Sequence, residues 1–199
     1  MRKPPSLSRD RILEPEERDL IIRSIRDQAF RDFVTALQHG ARPGEVRCVT
    51  AADVDLKHGV WILPKHKTAK KTNEPRIIYL TPQMVELTRA LMLKNPEGPL
   101  FLNRNGKPWT KSAICLRYRR LRQKFPQLKD VVAYTNRHTF GTDALERGVP
   151  DADVAALMGH KGTDMLHSVY SKLRKKYEHL RQAAEKAIGP TTDAGQPGC

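Results

Sequence analysis

Residues 134–170 are cut at short intervals by Gly148, Pro150, Gly159 and Thr163, and that punctuation constrains the fold more than any other feature of the chain. Gly ends a helix readily because it accepts a left-handed backbone. Pro opens one because the N–H it lacks would have no partner there anyway. The spacing predicts three short helices. The first begins at Arg137, buries Phe140, Ala144 and Leu145, and stops at Gly148. The second begins at Pro150, buries Val154, Leu157 and Met158, and ends at Gly159. The third is capped by Thr163 and carries Leu166, Tyr170, Leu173 and Tyr177 on one face.

This arrangement sets chemically useful groups at helix ends. Arg137 falls in a first turn, where free N–H groups also favour an anion. His160 lies just past a helix end, and Tyr170 follows ten residues later. An Arg offers a fork of fixed donors for phosphate oxygens, a His a further donor, and a Tyr an oxygen nucleophile. Together they suit attack on a phosphodiester. Taken singly they would be ordinary: His160 a surface or capping residue, Tyr170 a core residue.

Charge narrows the partner. The 199 residues carry 36 Lys and Arg against 22 Asp and Glu, a formal net charge of +14. Such a surplus favours a polyanion, either nucleic acid or an anionic membrane surface. No apolar run approaches membrane-span length, and Met1 to Asp10 is polar and Pro-rich, unlike a signal peptide. Cys48, Cys115 and Cys199 lie far apart, so neither a zinc site nor a disulfide framework is expected, and a reducing cytosolic compartment fits. His160 and His167 lack a carboxylate or Cys at ligand spacing, so no metal site is expected there.

Earlier in the chain, residues 1–13 read as a basic linker or strap, and residues 189–199 as a disordered tail. Between them, residues 14–188 read as one domain. Glu14-Pro-Glu-Glu opens a helix with Leu20, Ile21 and Ile25 on one face. A second helix covers Gln28 to Gln38, with Phe30, Phe33, Val34 and Leu37 inward, and Gly40 ends it. Pro43 and Gly44 predict a sharp turn directly after Arg42. Val60 to Leu63 and Arg76 to Leu80 read as strands, joined by a loop dense in Lys65, Lys67, Lys70 and Lys71. Thr81-Pro82 starts a helix with Met84, Leu87, Thr88 and Leu91 as its core stripe. Thr110 caps another that runs through Lys124. Its buried stripe is Ile114, Tyr118, Leu121 and Phe125, and its other faces hold Lys111, Arg117, Arg119, Arg120, Arg122 and Lys124. A helix so charged suits a phosphate backbone. A last amphipathic helix carries Tyr177, Leu180, Ala184 and Ala187.

Tyr134-Thr-Asn-Arg137, Met158-Gly-His160 and Tyr170, in this order, resemble the catalytic core of the tyrosine recombinases, the phage integrase family. The family carries His-x-x-Arg, then Leu-Gly-His, then a Tyr about ten residues on. It also has Gly-x-Arg-x-x-Glu, matched by Arg42 and Glu45. Tyr134 stands where the family usually has His, and Asn136 where it usually has Leu.

The resemblance implies a mainly α-helical fold with a small antiparallel β-sheet (α+β). It implies double-stranded DNA as substrate, with cleavage and rejoining through a 3′-phosphotyrosine and neither metal nor nucleotide cofactor. Tyr170 is then the nucleophile. Arg42, Arg137 and His160 face the phosphate oxygens, and Tyr134 occupies the remaining catalytic position. Lys67 is the general acid, with Lys70 and Lys71 as alternatives, and Glu45 orients a neighbouring group. The resemblance also implies a monomer that assembles into a tetramer on DNA, the last helix docking on a neighbouring subunit, in a bacterial or phage-type setting. An N-terminal DNA-clamping domain of the usual kind is not among these residues. Alternatives on the same residues are supercoil relaxation of the type IB topoisomerase kind, a DNA-binding protein with a degenerate site, and a metal-dependent nuclease using the histidines.

Overall fold

A computed structural model describes residues 11–64 and 75–160. Lys65, Lys67, Lys70, Lys71, Tyr170 and the last two predicted helices lie outside the described residues. In chain order the described elements are α1 (Pro15–Ser24), α2 (Gln28–Gln38), α3 (Pro43–Cys48), β1 (Val54–Asp55), β2 (Val60–Leu63), β3 (Arg76–Tyr79), α4 (Pro82–Lys94), α5 (Lys111–Lys124), α6 (Ala133–Glu146) and α7 (Asp151–Met158). The fold is mainly helical with a small antiparallel sheet.

Local rules account for most boundaries. Pro15 occupies the first turn of α1, and the Glu17 carboxylate accepts the backbone N–H of Glu14 at 3.0 Å. Asp27 caps α2, Thr81 caps α4 and Thr110 caps α5, each accepting an orphan N–H of the first turn. Gly40 ends α2 in a left-handed conformation, φ +88°. A Cβ there would also sit 2.6 Å from the Phe140 ring, so Gly40 lets α6 lie close against α2.

The structure differs from the sequence reading in three places. Pro43 and Gly44 do not make an isolated turn: they begin the six-residue helix α3, with Arg42 at its N-cap. Pro at the first helical position is as compatible with a helix start as with a turn. Helix α6 begins at Ala133, so Arg137 is its fifth residue and not part of a first turn with free N–H groups. The signal missed was local, with the Thr135 hydroxyl accepting the Val132 N–H at 3.0 Å. Two-residue β1 also joins the sheet, giving the order β1-β2-β3 with every pairing antiparallel.

The core lies between α2, α4, α5 and the inner face of the sheet, built on Phe30, Phe33, Trp61, Phe101, Trp109 and Tyr118. Neighbouring rings sit 5.3–6.3 Å apart, tilted or edge-on, as aromatic quadrupoles prefer. Trp61 Nε1 donates to Thr88 Oγ1 at 3.2 Å, which explains a buried Thr in the α4 stripe. Asn136 is buried as well. Its amide donates to Tyr118 Oη at 2.8 Å, tying α6 to α5. A smaller cluster of Ala144, Leu145, Val154, Ala155 and Met158 seats α7 on α6. Among the described residues no helix is long and apolar enough to cross a membrane.

Candidate active site

The site is assembled around the carboxyl end of α7. Gly159 adopts a left-handed conformation, φ +59°, directly after the helix. The His160 N–H then returns to Ala155 O at 2.8 Å, and the Gly159 N–H to Ala156 O at 2.9 Å. This closes the helix by the usual double-bonded glycine turn. Carbonyls at the end of a helix still carry partial negative charge and seek donors. Here three arginines supply them. Arg76 donates to Ala156 O at 3.1 Å and Leu157 O at 2.5 Å. Arg137 donates to Met158 O, and Arg42 to Gly159 O at 3.2 Å.

Each arginine comes from a different element. Arg42 sits at the N-cap of α3, and its Nη1 is 2.7 Å from Glu45 Oε1. Glu45 also accepts the Arg42 backbone N–H at 2.7 Å, so it ties down both the main chain and the guanidinium of that residue. Arg137 is fully buried in α6 and donates across to Gly40 O at 2.6 Å. Arg76 projects from β3, 5 % exposed, with its Nε 3.5 Å from Glu45 Oε1. One buried carboxylate thus pairs with Arg42 and Arg76, and its charge also reaches Arg137.

That imbalance bears on the protonation of the groups. Burial first, then the charge of Arg42, pulls Arg137 down to about 10, which leaves it cationic at neutral pH. Burial lowers Arg76 too, partly opposed by Glu45. His160 is pulled down to about 4 by burial, then by Arg137, Arg42, Arg76 and His138, so its ring is neutral. A cationic ring would need acceptors for both N–H groups, and the buried Nδ1 has none among the described residues. Arg137 Nε is likewise buried with no hydrogen-bond partner among the described residues, and Arg76 Nε has only the Glu45 carboxylate, at 3.5 Å. Such a surplus of positive charge favours an anion nearby.

Tyr134 stands one helical turn before His138, 40 % exposed, with its ring edge-on to the imidazole at 4.9 Å between centroids. It precedes Arg137 by three residues in α6, which places it at the border of the same site. Of the residues expected to act on the phosphate, the structure thus brings together Arg42, Arg137 and His160, with Tyr134 at the margin and Glu45 beneath.

Helix α5 separates the cations expected to meet DNA. Lys111, Arg119, Arg120 and Lys124 are exposed. Arg117 is turned inward instead: its Nη2 is 2.5 Å from Asp27 Oδ2 and its guanidinium lies over Phe30 and Trp109. Arg122 donates to Val131 O at 2.7 Å. Arg76 is the residue that sequence reasoning missed. Its strand neighbours Ile77 and Tyr79 are exposed, and the alternation of Arg76, Ile77, Ile78 and Tyr79 does not by itself say which face is inward. The pairing of Arg76 with buried Leu63 carries that information.

A mainly helical domain with a small antiparallel sheet gathers Arg42, Arg137 and His160 at one helix end. The model of the phage integrase family matches residues 11–177, and the chain belongs to that family. It is 29% identical over 175 residues to tyrosine recombinase XerD of Staphylococcus saprophyticus, covering 82% of this chain and 57% of that relative. With XerD of Staphylococcus aureus it shares 32% identity over 112 residues, 54% of this chain and 38% of the relative. The chain therefore spans little more than half the length of the XerD protein it matches most fully of these two. Among solved structures, XerA recombinase gives a TM-score of 0.67 at 23% identity, covering 90% of this chain and 67% of that one. The integrase of transposon Tn1549 in complex with a circular intermediate DNA gives 0.67 at 20% identity, covering 86% and 66%. XerH bound to its difH substrate gives 0.62 at 18%, covering 87% and 52%. At these identities the likeness establishes the fold.

Proposed function

We propose that this chain is the catalytic part of a site-specific tyrosine recombinase that cleaves and rejoins double-stranded DNA. One observation carries the reading: Arg42, Arg137 and His160 converge at the end of α7 over a single carboxylate, Glu45. In this mechanism the Tyr170 oxygen attacks the scissile phosphorus and the bond to the 5′-oxygen breaks. The products are a 3′-phosphotyrosine and a 5′-hydroxyl. Lys67 gives its proton to the leaving oxygen, because an alkoxide is a poor leaving group. Arg42, Arg137 and the N–H of neutral His160 hold the non-bridging oxygens as charge develops. A 5′-hydroxyl then attacks the phosphotyrosine and releases Tyr170. The covalent link retains the bond energy, so rejoining needs neither metal nor nucleotide. The exposed cations of α5 and the lysine-rich segment at 65–71 hold the DNA backbone, with subunits assembling as a tetramer on it. Such a protein works on DNA in the cytoplasm of a bacterial or phage-infected cell.

The test is covalent trapping on a nicked suicide duplex, followed by mass spectrometry of the adduct. The reading predicts a DNA-linked peptide modified at Tyr170, formed in the presence of a chelator. It also predicts none with Tyr170→Phe, which still binds the duplex. An adduct that persists in Tyr170→Phe overturns the assignment. Tyr134, in place of the family's His, favours one second reading, a DNA-binding protein with a degenerate site. Wild-type binding without any adduct from about pH 6 to 9 would support it.

A further inference from the structure

We propose that Arg76 is a positioning residue: it fastens β3 to the carboxyl end of α7 and so fixes the turn from which His160 is presented and to which Arg42 and Arg137 bind. The inference rests on reading this cluster as the phosphate site, and it adds a residue that touches no substrate. The hydrogen bonds of its guanidinium run to the backbone of β3 and of the α7 end.

Its contacts all point to the turn. The glycine turn uses the carbonyls of Ala155 and Ala156 for its own two bonds. Leu157, Met158 and Gly159 keep carbonyls that the helix cannot satisfy. Arg42 and Arg137 take Gly159 O and Met158 O. Arg76 takes Leu157 O and shares Ala156 O, while its Nη1 also donates to Ile77 O of its own strand at 2.7 Å. One planar fork thus bridges strand and helix. A lysine ammonium, whose three N–H donors radiate from one nitrogen, cannot span the same set. The stem is pressed on the turn as well. A Cβ at Gly159 would meet Arg76 Cζ, Nε and Cδ at 2.7–2.8 Å, so the side chain lies flat across the residue that precedes His160. With its Nε 3.5 Å from Glu45, Arg76 also touches the carboxylate that orients Arg42. The negative end of α7 favours a third cation here, where one carboxylate could not balance it.

The experiment compares the 199-residue wild type, Arg76→Met and Arg76→Lys. Met keeps the bulk and removes the fork; Lys keeps the charge. Amide hydrogen exchange is measured without DNA, so it reads the turn whether or not the protein cleaves DNA. Arg76→Met should exchange the Gly159 and His160 amides at least about tenfold faster while α2 core amides keep their protection. Arg76→Lys should fall between. On a suicide duplex that wild type cleaves, the rate constant at saturating DNA should drop about a hundredfold in Arg76→Met, with less than about a threefold change in the DNA concentration for half-saturation. Wild-type protection at Gly159 and His160 in Arg76→Met overturns the proposal. So does an equal loss of protection across α2, which would make Arg76 a general packing residue. If Arg76→Met does not fold, Arg76→Lys decides, and wild-type exchange with wild-type cleavage overturns it. Failure of wild type to form any adduct would instead count against the strand-cleavage reading and leave the exchange comparison intact.

Discussion

His160 sits among three guanidinium groups and keeps a neutral ring, because burial and positive neighbours both disfavour a second proton. Its pKa in the folded chain, about 4, lies below the value near 6.5 that an unfolded chain would give. Between those values the unfolded state binds a proton that the folded state refuses. The stability His160 contributes is therefore complete above about pH 6.5 and is lost as pH falls toward 4. Urea unfolding at pH 7.5 and pH 5 should show the loss, and His160→Gln should remove part of the difference. Adding duplex DNA should raise the His160 pKa seen by NMR, since a phosphate beside the ring favours its charged form; an unmoved resonance would place the phosphate elsewhere. Tyr134 poses the complementary question. A phenol with a reference pKa near 10 donates a hydrogen bond at neutral pH but is a poor base. Tyr134→Phe should slow single-turnover cleavage about tenfold, roughly 1.4 kcal/mol, the worth of one transition-state hydrogen bond. Tyr134→His should stay active with a pH–rate profile shifted toward neutrality.

The elements show which local signals survive tertiary packing. Helices α4 and α5 follow the Thr81 and Thr110 caps read from sequence, and α2 follows its apolar stripe, its Asp27 cap being a further local bond that the structure adds. Helix α6 does not, since Val132 carries no capping oxygen and the bond comes back from Thr135. The cations of α5 show a similar limit. Arg117 and Arg119 are equivalent in sequence, yet Asp27 and two aromatic rings claim Arg117. Replacing Arg119 and Arg120 with Ala should flatten the dependence of log affinity on log salt by about 0.9 for each phosphate no longer neutralised, read from binding isotherms between low and moderate salt. Arg117→Ala should leave that slope alone and instead cost about 1–2 kcal/mol of stability in urea unfolding, through its half-buried ion pair and ring contacts. An unchanged slope in the Arg119/Arg120 variant would put DNA on another face.

Over the whole molecule, the sequence carries the residue types of the site but not their convergence. Arg137 and His160 are legible from spacing, and Arg42 with Glu45 from the resemblance. Arg76 is not, because its burial depends on the register of β3 against Leu63 and on where the end of α7 comes to rest. The shared anchor of the three arginines, a set of backbone carbonyls, leaves no mark in the order of side chains along the chain. The net charge of +14 predicts attraction to DNA without saying what is done there. The central claim is that this convergence stabilises charge on a scissile phosphate. It is tested most directly by single-turnover cleavage with wild type and Arg137→Ala, on a suicide duplex bearing either the normal phosphate or a neutral methylphosphonate at the scissile position. Removing the guanidinium should cost about a thousandfold on the phosphate, and much less on the methylphosphonate, where the charge it offsets is already gone. An equal loss on both substrates, or cleavage of the phosphate by Arg137→Ala at the wild-type rate, would contradict the claim.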